Sequence, residues 1–259
     1  MHNSSVSVII PTFNHESRIE RALNSVFAQD LFNQSTVYVS DDCSSDATFS
    51  IASKITAPYA NVHVSRTSTN LGWYGNYMRL LDLCETEFVA ILEGDDYWTE
   101  PTKLARQLSF LRDNPVVCGC FCDYDVFSQE TGKSSRCDIN SAKYHVLSAV
   151  DLIYRNYPGT FSTCFYRTSA LKQVFERVGE YLPVYDWAIN ATIADFGGFG
   201  FLPGSSVVYE LHSAGLWSGL TVNEKNKLYH HSLSAMRCLM PQFKCFIDDR
   251  ELAVADRST

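Results

Sequence analysis

The chain of 259 residues predicts an α/β fold, a Rossmann-like doubly wound, mostly parallel sheet flanked by helices. Two observations predict it. Through the first part of the chain, short β-branched or aliphatic runs alternate with segments whose apolar residues recur at helical spacing. Two acidic pairs, Asp41-Asp42 and Asp95-Asp96, each directly follow such a run. Open parallel sheets bind ligands at the carboxyl ends of their strands, so two strands ending in carboxylates predict one acidic, polar site.

Val6-Ser7-Val8-Ile9-Ile10 reads as a strand stopped by Pro11, and Ile19, Ala22, Leu23, Val26 and Phe27 then mark a helix. Val37-Tyr38-Val39-Ser40 is a second strand, followed by Ser44-Ser45-Asp46 as cap chemistry for a helix carrying Phe49, Ile51, Ala52 and Ile55. Val62-His63-Val64 is a short third strand. Asn70-Leu71-Gly72 is a turn into a helix through Met78 and Leu81, and residues 88–92 form the next strand. Thr99 reads as an N-cap with Pro101 in the first turn, opening a helix with Leu104, Leu108 and Leu111 on one face. After residue 115 the rhythm changes. Residues 117–127 form a longer strand and 128–143 a polar loop; 162–166 and 207–211 read as strands. Helices are expected over 170–178, from near Pro183 through Ala194, and over 223–240. The division expected is a nucleotide-binding half over 1–115, an acceptor half of the same domain over 116–222, and a helical tail over 223–259.

Composition narrows the function. The chain is 46% hydrophobic and 19% charged, as a soluble globular protein is, and no run approaches the roughly 20 apolar residues a membrane span needs. The first residues carry no basic stretch, and Pro11 and Asn14 break the apolar run near the start, so no secretory signal is expected. A net charge of −8 argues against a nucleic-acid partner and against a polybasic membrane anchor, while leaving room for a peripheral membrane contact. Nine cysteines without a signal fit the cytoplasm. Cys118, Cys120 and Cys122 alternate, so they are expected on one strand face as buried thiols rather than as zinc ligands.

The segment Leu92-Glu93-Gly94-Asp95-Asp96-Tyr97-Trp98 carries the sharpest chemistry. Three carboxylates within four residues repel one another unless a cation or hydrogen-bond donors offset them, and Gly94 allows a tight turn there. Oxygen ligands select Mg²⁺ or Mn²⁺, which would neutralise a leaving diphosphate. Asp42 suits the imide edge of uracil or thymine, although a solvated turn aspartate is the plainer alternative. Asp46 or Ser45 reads as a helix cap. His212, near Gly215 and Trp217, suits diphosphate or metal as well as an ordinary surface position. Trp73 and Tyr74 suit stacking on a ligand or simple packing, and His230-His231 has the wrong spacing for a metal pair.

In order along the chain, Val8-Ile9-Ile10-Pro11-Thr12-Phe13-Asn14, Asp41-Asp42-x-Ser44-x-Asp46-x-Thr48, Asn70-x-Gly72 with Asn76, and Glu93-Gly94-Asp95-Asp96-Tyr97-Trp98 resemble the family 2 glycosyltransferases. Tyr185-Asp186-Trp187 and the segment from His212 to Ser218 resemble that family's bacterial surface-polysaccharide members. The resemblance implies a GT-A fold and inverting transfer from a nucleotide-diphosphate sugar with a divalent metal. It implies that Pro11, Thr12 and Asp42 contact base and ribose, that Asp95 sits near ribose or metal, and that Asp96 is the main metal ligand. Asp186 matches the catalytic base. Tyr185 stands where an acidic neighbour is usual, and Glu93 replaces the commoner Asp. The expected partners are a UDP-sugar (or a dTDP-sugar, with a similar imide edge) and a glycan or lipid-linked acceptor. A nucleotidyltransferase would want a glycine-rich basic phosphate loop, which residues 11–18 do not offer. A non-catalytic sugar-nucleotide-binding module is the other alternative.

Overall fold

Strands form where the β-branched runs lie, and their order brings the acidic ends together. A computed structural model describes residues 6–137, 145–183 and 185–255. The first half runs β1 (Val6–Thr12), α1 (Ile19–Phe27), β2 (Ser35–Asp41), α2 (Thr48–Thr56), β3 (Val62–Arg66), α3 (Gly72–Asp82), β4 (Phe88–Ile91), β5 (Tyr97–Trp98) and α4 (Lys103–Asp113). The second half runs β6 (Gly119–Ser128), β7 (Lys133–Cys137), β8 (His145–Leu147), α5 (Ala149–Tyr154), β9 (Cys164–Arg167), α6 (Thr168–Val178), α7 (Asp186–Ala194), β10 (Phe199–Leu211), α8 (Val222–Leu239) and α9 (Lys244–Ala255).

Among the described residues, one mostly parallel sheet of ten strands has the order β3-β2-β1-β4-β9-β6-β10-β5, with β7 on β6 and β8 on β10. The strands β3, β2, β1 and β4 are mutually parallel, and so is the long β6–β10 pair; β9 joins the two groups antiparallel. Alternation along β1 splits the core between the two sheet faces. Val6, Val8 and Ile10 pack with Leu23, Val37 and Leu104 on the α1, α2 and α4 side. Ile9 packs with Leu80, Phe175 and Trp187 on the other, under α3 and α5–α9. Helix α1 shows why: Ile19, Ala22, Leu23 and Val26 fall on one stripe, and all four are buried.

Several elements differ from expectation. Strand β1 runs through Pro11 to Thr12, paired in register with Ser40 and Asp41. Proline is tolerated there because β4 pairs only as far as Ile9, so one ladder is already finished. Thr99 does not cap α4: its N–H bonds the Ser206 carbonyl at 3.0 Å, tying it to β10, and the helix starts at Lys103. The polar stretch after residue 127 holds β7, a hairpin partner of β6; residues 138–143 of the expected loop lie outside the described residues. Strand β10 begins eight residues before the expected start, because Pro203-Gly204 interrupts its pattern at a register shift without ending the pairing. Helix α7 starts at Asp186 rather than near Pro183. Cys120 and Cys122 share a face, whereas Cys118, just before β6, packs with the opposite cluster.

Candidate active site

Three strand ends build the floor of the site. Thr12 and Asp41 are register partners, the Asp42 N–H bonds the Thr12 carbonyl at 2.9 Å, and the Gly94 N–H bonds the Pro11 carbonyl at 3.0 Å. The backbones are so close that a Cβ on Gly94 would lie 2.6 Å from Thr12 Oγ1 and 2.9 Å from His15 Nδ1. Glycine is therefore required at that turn. Above this floor opens a cleft of about 780 Å³, lined by Pro11, Thr12, Asp42, Asp95 and Asp186 among others.

Asp42 is not a solvated turn residue. It is 3% exposed, and its Oδ1 accepts from the Leu71 N–H (2.8 Å) and the Thr67 hydroxyl (3.2 Å). Asp41 beside it accepts from the Ser44 N–H at 3.0 Å and faces Arg66, so it shapes the loop rather than the cleft. Asn70 and Asn76 also shape the loop: Asn70 Oδ1 accepts from Gly72 N–H at 2.8 Å, and Asn76 Nδ2 donates to the Ser40 carbonyl at 3.0 Å. Asp46 lies one residue before the N-cap, Ala47, and accepts from the Thr48 N–H at 2.9 Å at the start of α2.

The acidic motif divides by environment. Asp95 lines the cleft, with His212 Nε2 at 3.0 Å and His15 Nε2 at 3.6 Å from its Oδ2. Burial pushes the Asp95 carboxyl up, but His15 and His212 outweigh it and hold the group below its ordinary value. Burial holds His15 below its ordinary value, against the pull of Asp95. Asp96 was the expected main metal ligand, and the geometry places it elsewhere. It is 1% exposed beneath the site, its Oδ1 accepting from the Glu210 N–H and its Oδ2 from the Thr160 hydroxyl, each at 3.2 Å. Burial, then the charges of Asp95 and Glu93, push it well above its ordinary value. Glu93 accepts from Thr160 Oγ1 at 2.8 Å and Tyr77 Oη at 3.2 Å, and burial followed by Asp95 lifts it to about 8. The longer arm of Glu93 thus serves two hydroxyls.

Asp186 opens α7 and lines the same cleft. The Asn156 amide donates to both its oxygens, at 3.3 and 3.2 Å. Burial raises Asp186 to about 6, opposed by Asn156 and the Trp187 N–H. Tyr185, in place of an acidic neighbour, packs against Trp217 with ring centroids 4.9 Å apart. Aromatic packing thus fills the position where a second carboxylate would have been. Trp73 lines the cleft, whereas Tyr74 stacks on Phe175 and donates to its carbonyl at 2.8 Å. His230 and His231 bind Glu251 and the Tyr181 carbonyl, away from the cleft.

Sequence reasoning missed Asn156, Thr160, Tyr209 and Glu210, which complete the site. Glu210 is buried against Arg18 and Arg21, anchoring the end of β10 beside the acidic motif. These residues stand singly in their segments, so local patterning gives no signal for them; the antiparallel β10–β5 pairing, Val207 with Trp98 and Val208 with Tyr97, brings His212 and Glu210 to Asp95 and Asp96.

A divalent cation can be tested against this donor set. Among the described residues no three His, Cys, Asp or Glu side chains cluster as a ready-made site. Mg²⁺ and Mn²⁺ are commonly held by one or two protein groups, with substrate phosphates and water completing the shell. The Asp95 carboxylate with the His212 imidazole fits that mode. His212 Nδ1, buried without a hydrogen-bond partner, imposes no competing orientation on the ring.

A sheet of this topology with carboxylates converging on one cleft is that of a GT-A glycosyltransferase. The glycosyl transferase family 2 model matches residues 7–175, and the chain belongs to that family. An uncharacterized protein of Mycobacterium tuberculosis is 30% identical over 213 residues, 82% of this chain and 60% of its own length. The chain thus spans about 60% of that relative. The poly(ribitol-phosphate) beta-N-acetylglucosaminyltransferase TarS of Staphylococcus aureus is 40% identical over 98 residues, 37% of this chain and 17% of TarS. A crystal structure of TarS 1-349 in complex with UDP superposes with a TM-score of 0.70 at 22% identity, over 91% of this chain and 65% of that one. The mannosyltransferase PcManGT of Pyrobaculum calidifontis, in complex with GDP-Man and Mn²⁺, gives 0.59 at 17% identity, over 97% and 75%. At these identities the superpositions establish the shared fold.

Proposed function

We propose that the chain transfers a sugar from a UDP-sugar to a hydroxyl of a glycan or lipid-linked acceptor, with inversion, in the assembly of a bacterial surface polysaccharide. The observation that carries this reading is that Asp42, Asp95 and Asp186, from two strand ends and a helix start, line one cleft. TarS, a relative by sequence and by fold, has been crystallised with UDP and with UDP-GlcNAc. A dTDP-sugar presents the same imide edge and is the second donor to test.

Residues 1–115 hold the donor and 116–222 the acceptor. Pro11 and Thr12 bound the base and ribose pocket, and Asp42 accepts the imide N–H. Asp95 and His212 would hold Mg²⁺ or Mn²⁺, whose charge would offset that of the departing diphosphate. Asp186 removes the acceptor proton as the acceptor oxygen attacks the anomeric carbon and the carbon–oxygen bond to the diphosphate breaks on the opposite face. Asn156 orients that carboxylate by gripping both oxygens. Burial suits Asp186 to the work, because a base with a pKa of about 6 takes a proton more readily than an ordinary aspartate. The wall of Tyr185 and Trp217 offers the acceptor sugar a flat apolar face. The eight cysteines whose side chains are described are free, which fits a reducing compartment. Among the described residues no helix is long and apolar enough to cross a membrane.

Calorimetric titration with UDP, with and without Mn²⁺, tests the donor site. Metal-dependent binding that is lost in Asp95→Ala supports the reading. Absence of binding by UDP, dTDP and GDP alike would refute it.

A further inference from the structure

Two arginines in the cleft, Arg155 and Arg250, have no part in the chemistry proposed above. Arg155 ends α5 and directly precedes Asn156, the residue that grips Asp186. Arg250 comes from α9, which packs on α5, so both enter on the side that carries Asp186 rather than from the strand ends. The Arg250 charge is felt at the Tyr185 hydroxyl, next to Asp186.

What distinguishes Arg250 is that every carboxylate near it in sequence has another partner. Asp248 accepts from Arg237 and Lys244, each at 2.6 Å; Asp249 accepts from the Tyr154 hydroxyl at 2.6 Å; Glu251 is held by Arg237 and by His230. Arg250 is left over the Tyr229 ring at 5.7 Å, with its Nε buried and lacking any hydrogen-bond partner. Arg155 lies over the Tyr157 ring at 4.9 Å, and among the described residues no carboxylate pairs with it either. Leaving the Arg250 Nε buried without a partner is costly, whereas Arg155 stands exposed at the cleft wall with its guanidinium open to a ligand. Guanidinium recognises oxyanions through paired N–H donors, and a ring beneath it fixes its plane.

We propose that Arg155 and Arg250 form an anion subsite on the acceptor side of the cleft, taking an acceptor that carries a phosphate or carboxylate group near the hydroxyl to be glycosylated. The assignment to the acceptor side rests on the reading of Asp186 as the base. An acceptor of this class meets an acid-lined donor end and a basic acceptor end, which fixes its direction in the cleft.

The 259-residue chain is titrated with glycerol 3-phosphate, with glucuronate, and with glycerol and glucose as uncharged controls, each in the absence and presence of saturating UDP and Mn²⁺. The charged probes are expected to bind at least about ten-fold tighter than the uncharged ones, and alongside UDP rather than in competition with it. Which charged probe binds tighter assigns the anion as phosphate or carboxylate. Arg250→Gln and Arg155→Gln are each expected to weaken the charged probes about ten-fold, with Arg250→Lys recovering part of the loss. Should Arg250→Gln fail to fold, the exposed Arg155 and its variant carry the test alone. Equal binding of charged and uncharged probes, or competition with UDP, overturns the proposal; competition would assign the arginines to the donor diphosphate. Failure of UDP to bind while the charged probes still depend on the arginines would strike the donor reading and leave the subsite standing.

Discussion

Asp95 and Asp96 are neighbours in sequence and opposites in environment, and substitutions should separate them. Asp95 faces the cleft between two imidazoles, so Asp95→Ala is expected to abolish metal-dependent UDP binding while leaving thermal stability near that of the parent. Asp96 is buried under the Glu210 N–H and the Thr160 hydroxyl. Asp96→Ala leaves the buried Glu210 N–H without its acceptor, while Thr160 keeps Glu93, and should cost about 1–3 kcal/mol, whereas Asp96→Asn keeps an acceptor and should cost less; thermal melts of these two variants and Asp95→Ala decide. Asp186 carries a prediction in pH. Its burial-raised pKa of about 6 means that a base needed in ionised form becomes available only above that pH, so transfer should rise through about pH 6 and then level. Stability runs the other way. A carboxyl whose folded pKa exceeds its ordinary 3.8 binds its proton more tightly when folded, so its ionisation costs stability, progressively from about pH 4 to about 6. The gap corresponds to something on the order of 3 kcal/mol. Asp186→Asn should therefore lower kcat by roughly 10²–10⁴ and raise the melting temperature at pH 8 but not at pH 4. A melting gain of equal size at both pH values would show that the carboxylate carries no such strain.

At the scale of elements, the site depends on how closely β1 meets the turn after β4. A methyl on Gly94 would meet Thr12 Oγ1 at 2.6 Å, Thr12 Cβ at 2.8 Å and His15 Nδ1 at 2.9 Å, and the first two belong to a β-branched side chain fixed in a strand. Gly94→Ala is expected to cost about 1–3 kcal/mol and to weaken UDP binding together with it, since the shifted atoms belong to the floor. Calorimetry alongside a denaturant melt checks both. The strands that make this floor were legible in the sequence because each is a buried β-branched run ending in a polar group, a pattern with one physical meaning. The opposite wall was not. Asn156 and Thr160 lie in a segment without periodicity, and their roles exist only because β9 and α7 bring Asp186 and the acidic motif to them. The β7 strand was hidden for a different reason: Lys133, Ser134, Ser135 and Arg136 are exposed, so pairing with β6 imposes no apolar alternation on them. Asp186 became visible only through the resemblance to a family, because a lone carboxylate has no local signature, and for the same reason His212 read equally well as an ordinary surface residue.

The molecule as a whole closes its core with its last helices, and this sets what can be removed. Leu233, Met236, Leu239 and Ile247, on α8 and α9, are buried in the same cluster as Ile9 and Trp187. The Tyr229 ring stacks on Trp187 at 4.7 Å, and Arg177 donates to the Leu239 carbonyl at 2.7 Å. Residues that read as a tail in the sequence thus cover the back of α7, the helix that begins with Asp186. Each of those four side chains contributes roughly 1.5–3 kcal/mol when fully buried. Together that is about 6–12 kcal/mol, comparable with the whole stability of an ordinary domain, about 5–15 kcal/mol. A chain ending at residue 221 is therefore expected to lose cooperative folding, and with it the alignment of Asp186 with the donor end. Circular dichroism melts and limited proteolysis of that truncation against the full chain would decide. A truncated protein that melts cooperatively near the parent temperature would show that the helices are an addition to a core already complete, and that the position of Asp186 is set by α5 and α6 alone.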